Sequence, residues 1–465
     1  MTDPVSAGFE RGFQGEVLLA GDDGYETRRW AVNRRFDHRP AVIARCLGVS
    51  DVVQAVRVAR DRGLEIAVRG GGHHAGGLST TDGLLIDLSL MRGTRVSEAT
   101  RTLWLQGGAL MGDVQLEATR VGLGAVIGVS SMPGAGVILG GGLGYLAPRY
   151  GWGCDNILEA ELVTADGEVV IASADENADL FRGVKGAAAN FGVVTSLRIA
   201  TYPVPPVVLS GDMLWNGPEN AARAMRWLRD FQQVCSEDLA FYPGVQRTQA
   251  SDWIPAEYAG PVGLTMMLCH GGSPETAEAE IAEIRRAIPP DVDTVGPLTF
   301  RAVHLAKDAA FDDRAPLTAE DDEVVSELTD EVIDLLVGDA GLADPDAAGD
   351  RTAQFYPENR AIAQVSPEDG ALGLRGPRQW GIHTASYYSS PDDTRVEQGW
   401  SSGLCAAVRR TSVGTGSSGS ANWVSEYTEE RARGTYAGTY DVLADLKKRW
   451  DPQNVFHRNA NVLPA

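Results

Sequence analysis

Residues Ile66 to Gly77 read IAVRGGGHHAGG, and the rest of the chain is organised around this stretch. Three consecutive glycines, Gly70, Gly71 and Gly72, free the backbone for positive φ and let a ligand approach main-chain N–H groups. That is the makeup of a phosphate cradle. His73 and His74 follow at once, on a turn where a side chain faces whatever the glycines hold. Taken alone, the stretch also reads as a plain turn with two solvent-facing histidines, because short glycine motifs recur by chance. Upstream, Asp51 to Arg62 has helical spacing, with a D-x-x-Q capping box at Asp51 and Gln54 and a stop at Gly63. Leu64, Ile66 and Val68 alternate as a short strand leading into the loop.

A chain of 465 residues is long enough for two or three domains with a large core. Its hydrophobic fraction of 43% and charged fraction of 22% are those of a soluble globular protein. The net charge of −22 argues against nucleic acid, whose phosphates demand a basic surface, and against anionic membranes. The start, MTDPVSAGFERG, lacks a basic segment followed by an apolar one, and no apolar run reaches membrane-spanning length. Cys46, Cys154, Cys235, Cys269 and Cys405 form no C-x-x-C pair and no His/Cys cluster. Neither a metal site nor a disulfide framework is expected, and the cytoplasm is the expected compartment.

Downstream, GLLIDLSLM (83–91) has a buried-strand pattern, and TLWLQGGALMGDV passes from a strand through Gly107 and Gly108 into a helix. The dense run GVSSMPGAGVILGGGLG (128–144) contains GAGVIL, which imitates a dinucleotide fingerprint. It lacks the third glycine and the acidic residue on a second strand, so a Rossmann reading is rejected. ILEAELVTADGEVVIAS predicts strand, turn and strand, and prolines between 203 and 206 mark a domain boundary. In the middle third, helices are expected at 219–235, 274–288 and 319–337, the last with an acidic exposed face. Strands are expected at 262–269 and 378–389, giving an antiparallel sheet with helices on one side. GTGSSGSANWVSEY reads as loop and then strand, and a helix runs from Thr435 to Asp451-Pro452.

Five separated stretches then match one family in order: IAVRGGGHHAGG, LLIDLSLM, GVILGGGLGYLAPRYGWGCDNILEAELVTADGEVV, DLFRGVKGAAANFGVV and YAGTYDVLADLKKRWDPQNVFHRNANVLP. The chain resembles the berberine-bridge-enzyme-like FAD-linked oxidases of the vanillyl-alcohol-oxidase (PCMH-type) superfamily. The resemblance implies an α+β fold in which a two-part FAD-binding domain is formed by both chain ends around an inserted antiparallel-sheet-plus-helices substrate domain. The expected limits are 1–205, 206–424 and 425–465. It implies FAD bound covalently through His73, at the histidine of the family's R-x-G-G-H pattern. Arg69, Gly70, Gly71, Gly72, His74 and Gly77 would sit in the same loop. Ser130, Pro133, Gly134, Gly141, Asn156, Gly192, Val194, Asn459 and Asn461 fall in the other matching cofactor stretches.

Three departures bear on chemistry. Many relatives attach the flavin a second time through a cysteine where this chain has Ser130, so a single linkage is expected. Pro133 stands where the family has a residue thought to gate oxygen. Ser420 stands where relatives carry a tyrosine two residues before Asn422, so a proton acceptor must come from elsewhere. His383 and Tyr387 in RQWGIHTASYYS are four apart and share a strand face. One of them is expected to contact substrate, with Asn422 orienting it. Trp380, Tyr387, Tyr388, Trp423 and Met267 are candidates for an aromatic-compatible pocket. The expected activity is oxidation of a small organic substrate, of secondary-metabolite type, by hydride transfer to FAD with molecular oxygen as acceptor. The partners are thus substrate and oxygen, for a monomer or homodimer. Two alternatives remain: a flavin-dependent oxygenase or cyclase of a natural-product pathway, and a redox-inactive flavin-binding protein.

Overall fold

The computed structural model describes residues 8, 9, 12–308, 316–338, 341, 342, 344 and 346–465. The glycine loop leaves the end of β3 in a four-stranded sheet made of β1 (Glu16–Leu18), β2 (Val42–Arg45), β3 (Ile66–Arg69) and β4 (Leu84–Asp87). Its order is β1-β2-β4-β3; β4 runs parallel to both β2 and β3, and β1 is antiparallel. Every residue of β2 and β4 is buried, as parallel strands covered on both faces require. Val52, Ala55, Val56 and Ala59 of the helix Val49–Arg62 cover one face, against Val42, Ala44, Leu84 and Ile86. That helix ends at Gly63 with φ 63°, a left-handed position that suits glycine. It starts earlier than the expected capping box. Gly48 is the cap, and the Asp51 carboxylate, one turn in, accepts from the main-chain N–H of Leu47 at 2.9 Å and of Gln14 at 2.8 Å.

Next come β5 (Thr94–Ser97), β6 (Thr102–Gln106), β7 (Leu123–Gly124), β8 (Ile157–Val163), β9 (Val169–Ser173), β10 (Val193–Ala200) and β11 (Tyr202–Pro203). Five of them form an antiparallel sheet in the order β5-β6-β10-β8-β9, and β7 pairs with β11. The remaining strands are β12 (Val208–Asn216), β13 (Leu239–Arg247), β14 (Val262–His270), β15 (Val292–Asp293), β16 (Gly296–Leu298), β17 (Leu317–Val325), β18 (Asp350–Pro357) and β19 (Trp380–Tyr388). They make one antiparallel sheet, β15-β12-β14-β13-β18-β19-β17, with β16 beside β12. One face of this sheet buries Trp215, Phe241, Phe355 and Trp380 against Leu228, Ile284, Leu336 and Leu404 of four helices. Polar and aromatic residues point from its other face toward the glycine loops. Ser273 caps the helix Pro274–Ala287 by accepting from Thr276 N–H, and the helix Pro218–Phe231 replaces the longer one expected there.

The expected helix at 319–337 is strand in its first part and helix only in its last. β17 runs to Val325, and only Asp330–Val337, capped by Thr329, is helical. Its acidic residues looked like a solvated helix face, yet Asp322 and Glu323 are buried and neutralised from outside the strand. Arg431 holds Asp321 at 2.6 Å and Asp322 at 3.0 Å, while Arg409 holds Glu323 at 2.8 Å. Tertiary charge pairing overrode the local pattern. The segment around Asn422 forms no strand, and the last helical stretch splits into Glu429–Thr435 and Tyr440–Trp450, with Gly438 at φ 79° between them. Leu443 and Leu446 of the last helix pack in one core with Leu180 and Val184. Lys447, with no exposed side chain, donates to Asp451 at 2.7 Å and to the carbonyls of Asn190 at 2.7 Å and Phe456 at 2.8 Å.

Candidate active site

A cavity of about 510 Å³ runs between the glycine loops and the polar face of the eight-stranded sheet. Gly70, Gly71, Gly72, His73, His74, Ser130, Pro133, Gly134, Gly192, Val194 and Asn459 line one end of it. His383, Tyr387 and Asn422 line it as well. The triple-glycine turn is shaped by one left-handed residue, Gly72 at φ 70°, and one close approach. A Cβ on Gly71 would lie 2.4 Å from Gly134 N, and a Cβ on Gly134 would lie 2.2 Å from Gly71 N. The two loops therefore touch backbone to backbone, and the wall they form is main chain.

Five predicted positions stand behind that wall. Arg69 donates to the carbonyls of Ser79, Arg28 and Arg29, bracing the start of the loop. Gly77, at φ 63°, accepts from Arg458 through its carbonyl. Gly141 accepts from Cys154 N–H, and Asn156 donates to the carbonyls of Tyr150 and Trp152. The Oδ1 of Asn461 is buried without a protein partner.

Both adjacent histidines line the cavity, and the His74 ring is in addition tied back into the protein. His74 Nδ1 accepts from Gly76 N–H at 2.9 Å, so its Nε2 carries the proton and donates to Ala421 O at 3.0 Å. Desolvation holds its pKa below the usual histidine value, against an opposing pull from Glu320. His74 is thus a neutral strut joining the glycine loop to the segment carrying Asn422.

That segment is fixed by its own contacts. Ser420 Oγ donates to Gly140 O at 2.9 Å, and Asn422 Nδ2 donates to Val137 O at 3.0 Å. One Asn422 amide N–H is thus committed to backbone while the residue still lines the cavity, and the hydrogen-bond partner of His383 is Glu320, a residue that carried no sign of this in the sequence. His383 Nε2 lies 3.1 Å from Glu320 Oε2. Trp423 stacks on Tyr356 with centroids 4.5 Å apart, and the His383 ring lies beside both.

Strand alternation sorts the aromatic candidates. His383 and Tyr387 face the cavity, whereas Trp380 and Tyr388, each 1% exposed, lie in apolar cores away from it. Trp423 and Met267 also line the cavity. Tyr242, Gln246, Gln354 and Tyr356 join them, with Asp212 and Lys307 paired at 2.6 Å. The alternating polar and aromatic residues of QFY on β18 carried that signal, whereas reading β17 as a helix hid Glu320.

An FAD fits these residues. Asn459 Oδ1 is buried without a partner, although the Asn459 amide nitrogen donates to Ala189 O and Phe456 O. Buried acceptors left open are costly unless a ligand satisfies them. The ribityl hydroxyls and ring N–H of a flavin are donors of the required kind, and a main-chain glycine wall suits its diphosphate.

Comparison with known proteins places the chain in a class. The FAD binding domain family matches residues 40–173, and the berberine and berberine-like family matches 421–463. The chain belongs to the berberine-bridge-like FAD-linked oxidases and is an FAD-dependent oxidoreductase of that family. It is 31% identical over 461 residues to (R)-6-hydroxynicotine oxidase of Paenarthrobacter nicotinovorans, covering 97% of each chain. The crystal structure of 6-hydroxy-D-nicotine oxidase from Arthrobacter nicotinovorans superposes with TM-score 0.86 at 29% identity, covering 100% of both chains. Glucooligosaccharide oxidase from Acremonium strictum, which carries a 6-S-cysteinyl, 8α-N1-histidyl FAD, shares the fold at TM-score 0.83 and 20% identity, covering 99% of this chain and 98% of its own. Among the described residues no helix is long and apolar enough to cross a membrane.

Proposed function

We propose that this oxidoreductase carries FAD attached once, through His73, and oxidises a small aromatic-compatible molecule at a C–H bond beside nitrogen or oxygen, with molecular oxygen as final acceptor. The observation that carries the reading is that one cavity is lined by both the glycine-loop residues and His383. Bound FAD supplies the hydride acceptor. The protein holds the substrate between Tyr242, Tyr356, Trp423 and Tyr387, and His383 takes the proton of its N–H or O–H group. Ser420 is spent on Gly140 O, which leaves it unsuited to that role. Serine at position 130 offers no thiol for a second link, and the family pattern R-x-G-G-H falls on His73.

The likeness to a 6-hydroxynicotine oxidase favours a nitrogen-containing substrate of secondary-metabolite type. The same reading divides the chain at 1–205, 206–424 and 425–465, in keeping with the strands each sheet draws on. The five cysteines are free and buried, which accords with a reducing cytoplasm.

Two experiments test the proposal. Acid-denatured holoenzyme stays yellow, and its tryptic flavopeptide contains His73 and not Ser130; release of all flavin on denaturation rejects the linkage. Mixed without air with 6-hydroxynicotine and a panel of aromatic amines and alcohols, the enzyme bleaches, then recovers its colour with peroxide when air is admitted. In His383→Ala, bleaching slows by about 10²-fold or more. If no compound bleaches a protein that dithionite reduces, the oxidase reading fails.

A further inference from the structure

Gly244 stands in the interior of β13, between β14 and β18, where the register pairs it with Thr265 on one side and Gln354 on the other. Glycine weakens a strand interior, so its presence there needs a reason. Three other glycines of this sheet have one in their surroundings. A Cβ on Gly211 would lie 2.7 Å from Thr294 O, one on Gly263 would lie 2.7 Å from Thr248 Oγ1, and one on Gly381 would lie 2.7 Å from Glu358 Oε1. Gly244 is not confined in this way. Its φ is not left-handed, and an added Cβ would meet nothing nearer than Gln354 Cγ at 3.4 Å, an ordinary contact. Neither the backbone nor the packing of the protein asks for glycine, yet the residue lines the cavity. A strand glycine of that kind marks the close approach of a ligand.

The side chains around this opening divide by chemistry. Strand alternation puts Tyr242 and Gln246 on the same face as Gly244, two residues away in either direction. Beside Tyr242 lie its register partner Met267 and the ring of Tyr356, 5.5 Å away between centroids, so one side of the opening is apolar and aromatic. Both tyrosine hydroxyls are already used: Tyr242 donates to Gly144 O at 2.7 Å, and Tyr356 donates to Gln354 Oε1. The other side carries amides with bonding capacity to spare. Among the described residues Gln246 makes no side-chain hydrogen bond, and Gln354 makes none through Nε2. The charged groups nearby in the cavity meet one another, Asp212 with Lys307 at 2.6 Å and Glu320 with His383 at 3.1 Å.

We propose that Gly244 is the specificity-determining position of the substrate site: its missing side chain forms a recess for a planar, uncharged ring lying on the main chain, with a carbonyl or hydroxyl on the ring edge bonded to the amides of Gln246 and Gln354. The inference rests on the reading of this cavity as the oxidation site and adds to it the shape and polarity of what enters. The N–H and C=O groups of an interior strand are paired in the plane of the sheet, so a ring can cover the strand at a glycine without stranding a polar group. A methyl at position 244 would stand in the space the ring fills, whereas the protein alone has room for it. An amide offers a donor and an acceptor side by side, the match for a lactam or hydroxyl edge, and it offers no charge to an ionic one.

The test separates the recess from the fold. 2-Pyridone, a planar uncharged lactam, is titrated into oxidised holoenzyme, and the change in flavin absorbance gives a Kd. In Gly244→Ala this Kd rises by about 10-fold or more, the effect of one surplus methyl group in a filled pocket, while flavin content and Tm do not fall. Gln246→Leu, similar in size but without the amide, raises the Kd by about 3-fold or more. An unchanged Kd in either variant, or the absence of any response to 2-pyridone in wild type, overturns the proposal. A drop in Tm or flavin content in Gly244→Ala overturns it as well, because the glycine then serves the fold. Weakened binding in both variants, with no compound of the panel bleaching wild type, leaves the recess standing and rejects the oxidase reading; bleaching with unchanged Kd values does the reverse.

Discussion

Glu358 follows β18, two residues beyond the cavity-lining Tyr356, and its side chain is packed where water does not reach. A Cβ on Gly419 would lie 2.4 Å from its Oε1 and one on Gly381 would lie 2.7 Å from the same atom, so two glycines make the room it occupies. Gln379 Nε2 donates to Oε2 at 2.9 Å, but Arg375, the cation that would favour ionisation, is already held by Asp155 at 2.7 Å. Burial consequently dominates and raises the carboxyl from 4.5 to about 7. Between those values the native state holds a proton that the unfolded chain has released. The stabilisation is thus complete below about 4.5 and is lost as pH rises through about 7. At about 1.4 kcal/mol per pH unit the loss comes to about 3 kcal/mol. Glu358→Gln removes this dependence at the cost of a fixed offset from its new amide. Urea unfolding of both holoenzymes at pH 5, 6, 7 and 8 reads the difference between them, in which the other titrating groups cancel. The wild type loses ground to the variant across this range by 2 to 3 kcal/mol, about the value just worked out. A difference that stays constant with pH refutes the argument that Glu358 is protonated by burial.

Gly71→Ala places a methyl where Gly134 N lies 2.4 Å away, so the two loops must separate; the variant is expected to purify with little flavin, and normal flavin content at wild-type stability would contradict the backbone contact. Lys447→Met leaves the fully buried Asp451 without its cation and frees the Asn190 and Phe456 carbonyls; about 3 to 5 kcal/mol of stability should vanish, measured by urea unfolding. A loss below about 1 kcal/mol would show the pair to be replaceable by apolar packing. Pro133→Val exchanges a rigid ring in the cavity wall for a smaller side chain; the second-order rate of reoxidation by oxygen should change while air-free bleaching stays nearly constant, and collapse of bleaching would make the residue structural.

Local chemistry was legible where one short stretch carries its own reasons. The triple glycine announces a main-chain wall, Gly63 ends a helix in the left-handed region, Ser273 caps another, and strand alternation puts His383 and Tyr387 on one face. What depended on partners far along the chain was not legible. The acids of β17 read as a solvated helix because Arg409 and Arg431, which neutralise them, lie some 90 to 110 residues later. With that strand misassigned, Glu320 could not be placed beside His383, 63 residues away. The bond that ties the His74 ring to Ala421, 347 residues downstream, had no sign in the local sequence. Sequence by itself determined the family and the main-chain character of the glycine loop, because backbone freedom and motif spacing are local properties. Only the tertiary structure decided which charges are buried and which donors are committed to backbone, because those depend on contacts that bring distant segments into one low-dielectric wall.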